Sequence, residues 1–178
     1  MNTYCIFCET VKAGAVARAI ESLFDCRAIS PLQVQHMRVK GKMTDVRRDL
    51  LPGYVFLYFE EGEPDMARLR YIDGYLKCLS DYHGNYRLVG SDEAFALMLY
   101  DNGGVLGKTK VYEVNQIIRV CEGVYKGVQA QVLKVDRRNM RMQIELPFAG
   151  RSVKTWVEYE IVSEVPAADS DPTPAKPQ

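Results

Sequence analysis

The run from Tyr54 to Phe59 constrains the fold of this chain more strongly than its other segments do, because every residue in it is aromatic or aliphatic. Aromatic and β-branched side chains favour extended backbone, so the run predicts a central strand. The residues before it, Leu50 to Gly53, contain a Pro-Gly pair that signals a turn, and the polar segment Glu61 to Pro64 ends it. The first part of the chain is therefore expected to be built around a buried sheet.

Strand and helix patterns alternate around this run through about residue 100. Tyr4 to Cys8 predicts a strand, and the apolar residues after it recur at helical spacing behind Thr10, which is expected to cap that helix. The remaining predictions are a basic hairpin over 35–48, a short helix opened by Pro64, strands over 75–79 and 86–89, and a helix beginning at Ser91. This alternation is typical of an α/β sandwich.

The pattern changes after the glycine pair Gly103-Gly104. We expect a first domain over 1–108, a linker over 109–115, a second domain over 116–165 and a disordered, proline-rich tail over 166–178. Short strand-like runs separated by turns, with Met142, Ile144 and Leu146 alternating with polar residues, predict a small SH3-like β-barrel. The predicted fold class is α+β.

Composition excludes several classes of protein. Basic and acidic side chains number 23 each, so there is no overall positive field to attract nucleic acid, and any such contact must be local. No apolar run reaches the roughly 18 residues that a membrane helix needs, and the N-terminus does not resemble a signal peptide. We therefore expect a cytoplasmic monomer, and its five cysteines, an odd number, are expected to be reduced and buried.

Two motifs in order resemble the NusG family of transcription elongation factors. Leu51 to Phe56 resembles the Pro-Gly-Tyr-Val signature of the NusG N-terminal domain, NGN. The segments 118–120, 122–125, 132–136 and 150–151 resemble the KOW domain that follows it. The resemblance implies an NGN-like domain before a KOW barrel, no enzymatic activity and no cofactor. The segments 122–127 and 136–139 are most similar to LoaP-type antiterminators, which serve particular operons.

The chain departs from the family pattern at three places. Thr3-Tyr4 stands where the family usually has Trp-Tyr, Ala130 aligns with the glycine that closes the KOW motif, and the segment 146–149 reads Leu-Pro-Phe-Ala where Ile-Phe is common. This last segment bears on partners of general NusG proteins. A general factor bridging polymerase to Rho or the ribosome is thus an alternative, as is a ribosome-associated KOW protein, although the latter is expected to be positively charged.

The resemblance also implies which residues bind RNA polymerase. Members of the family hold the clamp coiled coil of the largest subunit in an apolar depression, which by position falls to Phe7, Leu51, Pro52, Tyr54 and Phe56. We expect Phe7 and Phe56 to be exposed and Tyr54 to be structural. The alternative is that all five are core side chains, since strands alternate between two faces.

A second set of candidates is basic. Six cations fall in the predicted barrel, with Arg137 and Arg138 at a turn tip, and loops of this kind can contact the backbone of a nascent RNA hairpin. Arg47 and Arg48, in the first domain, are candidates for contact with DNA near the clamp. The alternative for both groups is an ordinary solvated surface. The full set is Lys126, Lys134, Arg137, Arg138, Arg141, Arg151, Arg47 and Arg48.

Other chemistry is weakly supported by the sequence. Cys5 and Cys8 have the spacing of a redox or zinc half-site, but no second pair accompanies them, and residues three apart on a strand point to opposite faces. A thiol oxidoreductase would need an exposed thiol of low pKa, which a strand interior does not provide. The sequence therefore predicts a binding protein with no metal site and no catalytic residues.

Overall fold

The computed structural model describes residues 1–114, 117–122, 131–148 and 150–162. Its strands are β1 (Asn2–Cys8), β2 (Arg27–Ile29), β3 (Leu32–Val39), β4 (Lys42–Asp49), β5 (Tyr54–Phe59), β6 (Tyr75–Cys78), β7 (Val105–Leu106), β8 (Thr109–Val114), β9 (Ile117–Glu122), β10 (Gln131–Asp136), β11 (Arg141–Phe148) and β12 (Arg151–Ile161). Its helices are α1 (Ala13–Leu23), α2 (Met66–Leu69) and α3 (Ser91–Asp101), with a 3-10 turn at Thr10–Lys12. The chain is therefore of the mixed α+β class that the sequence predicts.

The first sheet has the strand order β2-β5-β1-β6, and the predicted strand Tyr54–Phe59 is one of its two central strands. It runs antiparallel to β1, with Cys5 opposite Phe56 and Phe7 opposite Tyr54. Helix α1 packs on one face through Val16 and Ile20. The other face carries α3 and part of the C-terminal sheet described below, so β5 is covered on both sides.

The Pro-Gly turn before β5 requires glycine. Gly53 has φ +83°, and the Cys8 N–H donates to the Gly53 carbonyl at 2.8 Å. A Cβ at Gly53 would lie 2.8 Å from the Cys8 carbonyl oxygen and 3.0 Å from the Phe7 ring. At this predicted turn, therefore, the backbone of β1 lies too close to residue 53 to leave room for a side chain.

The predicted basic hairpin is confirmed as β3 and β4, which pair along their whole length in antiparallel register. Lys40 and Gly41 form its turn, both with positive φ. The short strand β7 pairs parallel with β3 and completes a three-stranded sheet.

The helix starts differ from the sequence expectations. Thr10 makes no side-chain cap and instead begins the 3-10 turn before α1. Asp65 caps α2 by accepting from the Ala67 and Arg68 N–H groups at 2.9 and 3.2 Å. Ser91 is the first residue of α3, and the cap position is Gly90, whose φ of +62° suits glycine.

Where the sequence predicts a strand over 86–89, the structure has a single isolated β-bridge. Arg87 bridges Tyr4, and the Leu88 N–H donates to the Thr3 carbonyl at 2.8 Å. The neighbouring turn explains the irregularity, because the carboxylate of Asp81 accepts from the backbone of His83 and Asn85 and so draws the chain away from strand pairing.

The C-terminal sheet has the order β10-β11-β12-β8-β9. The linker expected over 109–115 is wrong for most of its length, because Thr109–Val114 form β8, parallel to β12 and antiparallel to β9. Thr109 and Val111 are both fully buried, so their inward alternation outweighs the nearby glycines that suggested a linker. The predicted strands of the second half are found as β9 to β12, and the tail over 166–178 lies outside the described residues.

The core falls into two clusters that meet at the first sheet. One lies between that sheet and α1. The other joins the opposite face of the sheet, α3 and the inward side of the C-terminal sheet. Among the described residues, no helix is long and apolar enough to cross a membrane.

Candidate functional site

The face of the first sheet that points away from α1 is aromatic. Phe7 and Tyr54 are paired across β1 and β5, and their rings meet edge to face at 5.2 Å. Phe56 lies two residues beyond Tyr54 on the same side of β5, and its ring is 5.9 Å from that of Phe95 on α3. Three aromatic rings, Tyr54, Phe56 and Phe95, thus form a concave apolar surface, called here the aromatic pocket.

Phe148, near the end of β11, fills the aromatic pocket. Its ring centroid lies 5.2 Å from that of Phe56, 5.9 Å from that of Phe95 and 6.1 Å from that of Tyr54. All three contacts are edge-to-face or tilted, the arrangements that aromatic quadrupoles favour. Phe148 is itself buried. One side chain from the C-terminal sheet therefore closes this surface of the first sheet.

A buried hydrogen bond accompanies the aromatic contact. The Oγ1 of Thr155, on β12, donates to the Leu50 carbonyl at 2.9 Å. Leu50 and Leu51 are fully buried in the same cluster as Leu146 and Val157. The contact between the first sheet and the C-terminal sheet is thus part of one core cluster. It combines apolar burial with a buried polar group that has its hydrogen-bond partner.

The structure brings the five predicted polymerase-binding residues together around the turn before β5. Leu51 is buried, Pro52 is exposed at the edge, and Phe7 and Tyr54 are half-buried. The expectation that Phe56 is exposed is wrong here, because Phe95 and Phe148 cover its ring completely. Tyr54, expected to be structural, packs against the core cluster at the margin of the pocket.

The sequence analysis missed Phe148 and Phe95 as parts of this site. Phe148 continues the inward alternation of Met142, Ile144 and Leu146, all of which are buried. Pro147, which usually interrupts a strand, suggested a loop, but here it lies inside β11 opposite Ser152. Following the alternation two residues further would have identified Phe148.

The basic candidates of the second half lie around β10 and β11. Lys134 is exposed on β10, and Arg137 and Arg138 are exposed at the turn that joins β10 to β11. Arg141 donates through Nε to Asp136 at 3.0 Å, and its guanidinium lies 5.0 Å from the centroid of the Trp156 ring. These four cations therefore lie on the paired strands β10 and β11 and on the turn between them.

The turn that carries Arg137 and Arg138 is held by Asp136. Its carboxylate accepts from the backbone N–H and side-chain amide of Asn139, at 3.1 and 2.8 Å, as well as from Arg141. The Asn139 side-chain hydrogen bond and the Arg141 guanidinium hold the pKa of Asp136 below its usual value. The carboxylate consequently stays ionised at a lower pH than an ordinary aspartate does, and it keeps these hydrogen bonds there.

The other basic candidates are placed differently. Arg47 and Arg48 are exposed on β4, in a different sheet, and point to opposite sides of the hairpin. Arg151 lies at the start of β12, but its side chain is outside the described part of the structure, as is the whole of Lys126.

The thiols of the first sheet are unsuited to redox or metal chemistry. Cys5 and Cys8 belong to opposite core clusters, as strand alternation predicts. Burial raises the pKa of both thiols, and it raises the pKa of Cys78 to about 12. Within the described residues, no three His, Cys, Asp or Glu side chains are grouped so as to hold a metal ion.

Comparison with known proteins identifies the fold. No protein-family model matches the chain, and no curated protein sequence matches it. A solved structure described as "Domain interaction in Thermotoga maritima NusG" is similar, with a TM-score of 0.51 and 14% identity. The match covers 88% of this chain and 93% of that one. The chain therefore has a NusG-like fold.

Proposed function

We propose that this chain is a non-enzymatic transcription elongation factor that binds bacterial RNA polymerase and changes pausing or termination. In this proposal the aromatic pocket and the turn before β5 hold the clamp coiled coil of the largest subunit. The barrel contacts nascent RNA, and the factor acts as a specialised antiterminator of particular operons. The NusG-like fold and the Pro-Gly-Tyr-Val motif support the assignment to transcription.

One observation carries the binding part of the proposal: the aromatic pocket accepts an aromatic side chain from outside the first sheet. A concave apolar surface lined by rings is the usual receptor for a helix that presents apolar anchors. Phe148 fills it in this structure, at 5.2 Å from Phe56. A clamp helix that used the same pocket would have to displace Phe148.

The proposal therefore includes a step in which the C-terminal sheet, which carries Phe148, separates from the first sheet. The description of the similar solved structure names a domain interaction in T. maritima NusG, which supports a role for contacts between the two sheets such as the packing of Phe148. The free energy of the contact would be subtracted from the binding energy for polymerase, which lowers the apparent affinity of the closed chain.

The test is retention of the chain by immobilised RNA polymerase. We expect weak retention of the wild type and stronger retention of Phe148→Ser, because that change empties the aromatic pocket. Adding Tyr54→Asp to Phe148→Ser is expected to abolish retention, since it places a charge at the margin of the pocket. Tyr71→Asp in the same background is the matched control, because Tyr71 is 90% exposed and lies outside the pocket.

Circular dichroism of each variant checks that it folds. If folded Phe148→Ser is retained no better than the wild type, the pocket is not the polymerase site. If neither is retained at all, the assignment to transcription is wrong. For a chain that is retained, transcription in vitro through a pause and a terminator then measures the direction of its effect.

A further inference from the structure

The solvent side of β10, β11 and β12 is an ordered array of polar side chains with one tryptophan. Strand pairing places Lys134 opposite Gln143, and Gln143 opposite Trp156, in one row across the three strands. The flanking rows are Asp136, Arg141 and Glu158 on one side, and Gln131, Glu145 and Lys154 on the other. This face is called here the Trp156 face. Trp156 is the single tryptophan of the chain.

The Trp156 face points away from the first sheet. Thr155 and Val157, its neighbours on β12, are buried toward the contact with the first sheet, so Trp156 between them is directed to the opposite side. Its ring is half-buried, which leaves part of it accessible. The face is therefore open to a ligand while Phe148 fills the aromatic pocket.

Arg141 and Trp156 are in cation–π contact. The guanidinium lies 5.0 Å from the indole centroid, and the hydrogen bond from Nε to Asp136 restrains the side chain. A guanidinium and an indole are both flat groups, and a side chain that is already restrained loses less entropy on binding. Nucleobases are the common biological ligands that bind by stacking on such surfaces.

Hydrogen-bonding groups beside the stack are unused. Among the described residues, the Gln143 amide and the Lys134 ammonium make no side-chain hydrogen bond or ion pair. An amide offers both donors and an acceptor, which can pair with a base edge or a ribose 2′-hydroxyl, and an ammonium suits a phosphate. The three groups in one row thus match the three parts of a nucleotide.

The charge of the Trp156 face also fits an anionic ligand. With the turn above it, the face carries five basic side chains, Lys134, Arg137, Arg138, Arg141 and Lys154, against the four carboxylates of Asp136, Glu145, Glu158 and Glu160. Asp136 is engaged by Arg141, and Glu145 by Lys154 at 3.7 Å. The whole chain has a formal charge of zero, so this local excess is what a polyanion would meet.

We propose that the Trp156 face binds single-stranded RNA, with one unpaired base stacked on the Arg141–Trp156 pair. Gln143 contacts the 2′-hydroxyl of that nucleotide, and Lys134 and Arg138 contact the adjacent phosphates. The biological setting, near RNA that emerges from polymerase, rests on the proposed function. RNA binding by the Trp156 face requires neither polymerase nor separation of the C-terminal sheet from the first sheet.

The experiment is a titration of the full chain with a single-stranded RNA of about ten nucleotides, within the usual site size of such proteins. Trp156 fluorescence, excited where tyrosine does not absorb, reports stacking directly because the chain has one tryptophan. We expect saturable quenching. The same RNA annealed to its complement should not quench, and the DNA strand of the same sequence should bind more weakly because it lacks the 2′-hydroxyl.

Variants are compared by the anisotropy of labelled RNA. Trp156→Ala is expected to weaken binding about tenfold, and Trp156→Phe, which keeps a ring in case the alanine variant unfolds, should weaken it less. Lys134→Ala should lower the dependence of log affinity on log salt by roughly 0.7. Lys77→Ala removes the same charge from an exposed position on β6 and should change nothing.

RNA binding without a change in Trp156 fluorescence, equal binding of the duplex, or DNA binding as tight as RNA would each overturn the proposal, as would an absence of RNA binding. Polymerase retention measured in parallel separates the two proposals. A chain that binds RNA but is not retained by polymerase contradicts the proposed function and leaves the Trp156 face standing. A retained chain that ignores RNA contradicts the Trp156 face and the RNA contact of the barrel, and leaves polymerase binding standing.

Discussion

The ring of Phe148 lies 5.2 Å from the ring of Phe56, centroid to centroid, with 55° between their planes. The two residues are on strands of different sheets, and each is at most 3% exposed. Their contact joins the first sheet to the C-terminal sheet in one core. It therefore determines both the stability of the closed chain and the access of any partner to the aromatic pocket.

Phe148→Ala is expected to lower the free energy of unfolding by about 3 kcal/mol, the cost of removing a buried phenyl ring from a packed core. Denaturant unfolding followed by circular dichroism measures this. Because the first sheet keeps its own core against α1, we expect the single transition of the wild type to broaden or divide. Phe24→Ala is the control, since Phe24 is half-buried and packs against the other cluster. An equal loss in both variants would mean that Phe148 has no special part in joining the sheets.

Two buried threonines should differ in how replacement by valine changes the free energy of unfolding. Thr155 Oγ1 donates to the Leu50 carbonyl at 2.9 Å, so Thr155→Val removes a buried hydrogen bond and should destabilise by about 1–3 kcal/mol. Thr109 is also buried, but its Oγ1 has no hydrogen-bond partner in the described part of the chain. Thr109→Val should therefore be neutral or stabilising. Thermal melts of the two variants test the pair, and destabilisation by Thr109→Val would show that its hydroxyl has a partner.

How far the sequence predicts the structure depends on whether a pattern is local. The strand Tyr54–Phe59 and the turn before it are recovered residue for residue, because the unbroken apolar run, its β propensity and the Pro-Gly turn all agree there. Strand β8 was missed. It pairs with β9, which follows it directly, and with β12, which is about fifty residues away in the chain. Propensity within 109–115 carries no information about that partner, and the neighbouring glycines favoured a linker.

The candidate site shows the same limit. Tyr54 and Phe56 were named as site residues because the segment Leu51 to Phe56 resembles the NusG signature. That Phe148 covers them could not be predicted, because no short-range pattern says which apolar surfaces of two sheets meet. Trp156 was passed over for a related reason. A single tryptophan in a strand is usually core, and only the register, which puts it in a row with Gln143 and Lys134, shows that it faces solvent.

Substitutions at Gly53 and Gly41 distinguish the energetic cost of backbone strain from that of a steric clash. Both have φ +83°, but a Cβ at Gly53 would lie 2.8 Å from the Cys8 carbonyl oxygen, whereas a Cβ at Gly41 would meet nothing within 4 Å. Gly41→Ala should therefore cost about 1 kcal/mol, from strain alone, and Gly53→Ala clearly more. Chemical denaturation of both variants measures the difference. Equal losses would mean that β1 and the turn shift apart without cost.

Thiol reactivity tests whether any cysteine of the described region could act in redox chemistry. Burial raises the pKa of Cys78 to about 12 and that of Cys26 to about 11, and it raises the pKa of Cys5 and Cys8 as well. A thiol whose pKa is raised has almost no thiolate at neutral pH, so alkylation should be slow at all four and should accelerate only at strongly alkaline pH. Among them, Cys26 should react first because it is only half-buried. Peptide mass mapping after timed alkylation assigns each site, and denatured protein shows the unprotected rate. Rapid labelling of Cys5 or Cys8 in the folded chain would contradict the buried assignment and make a thiol oxidoreductase the better hypothesis.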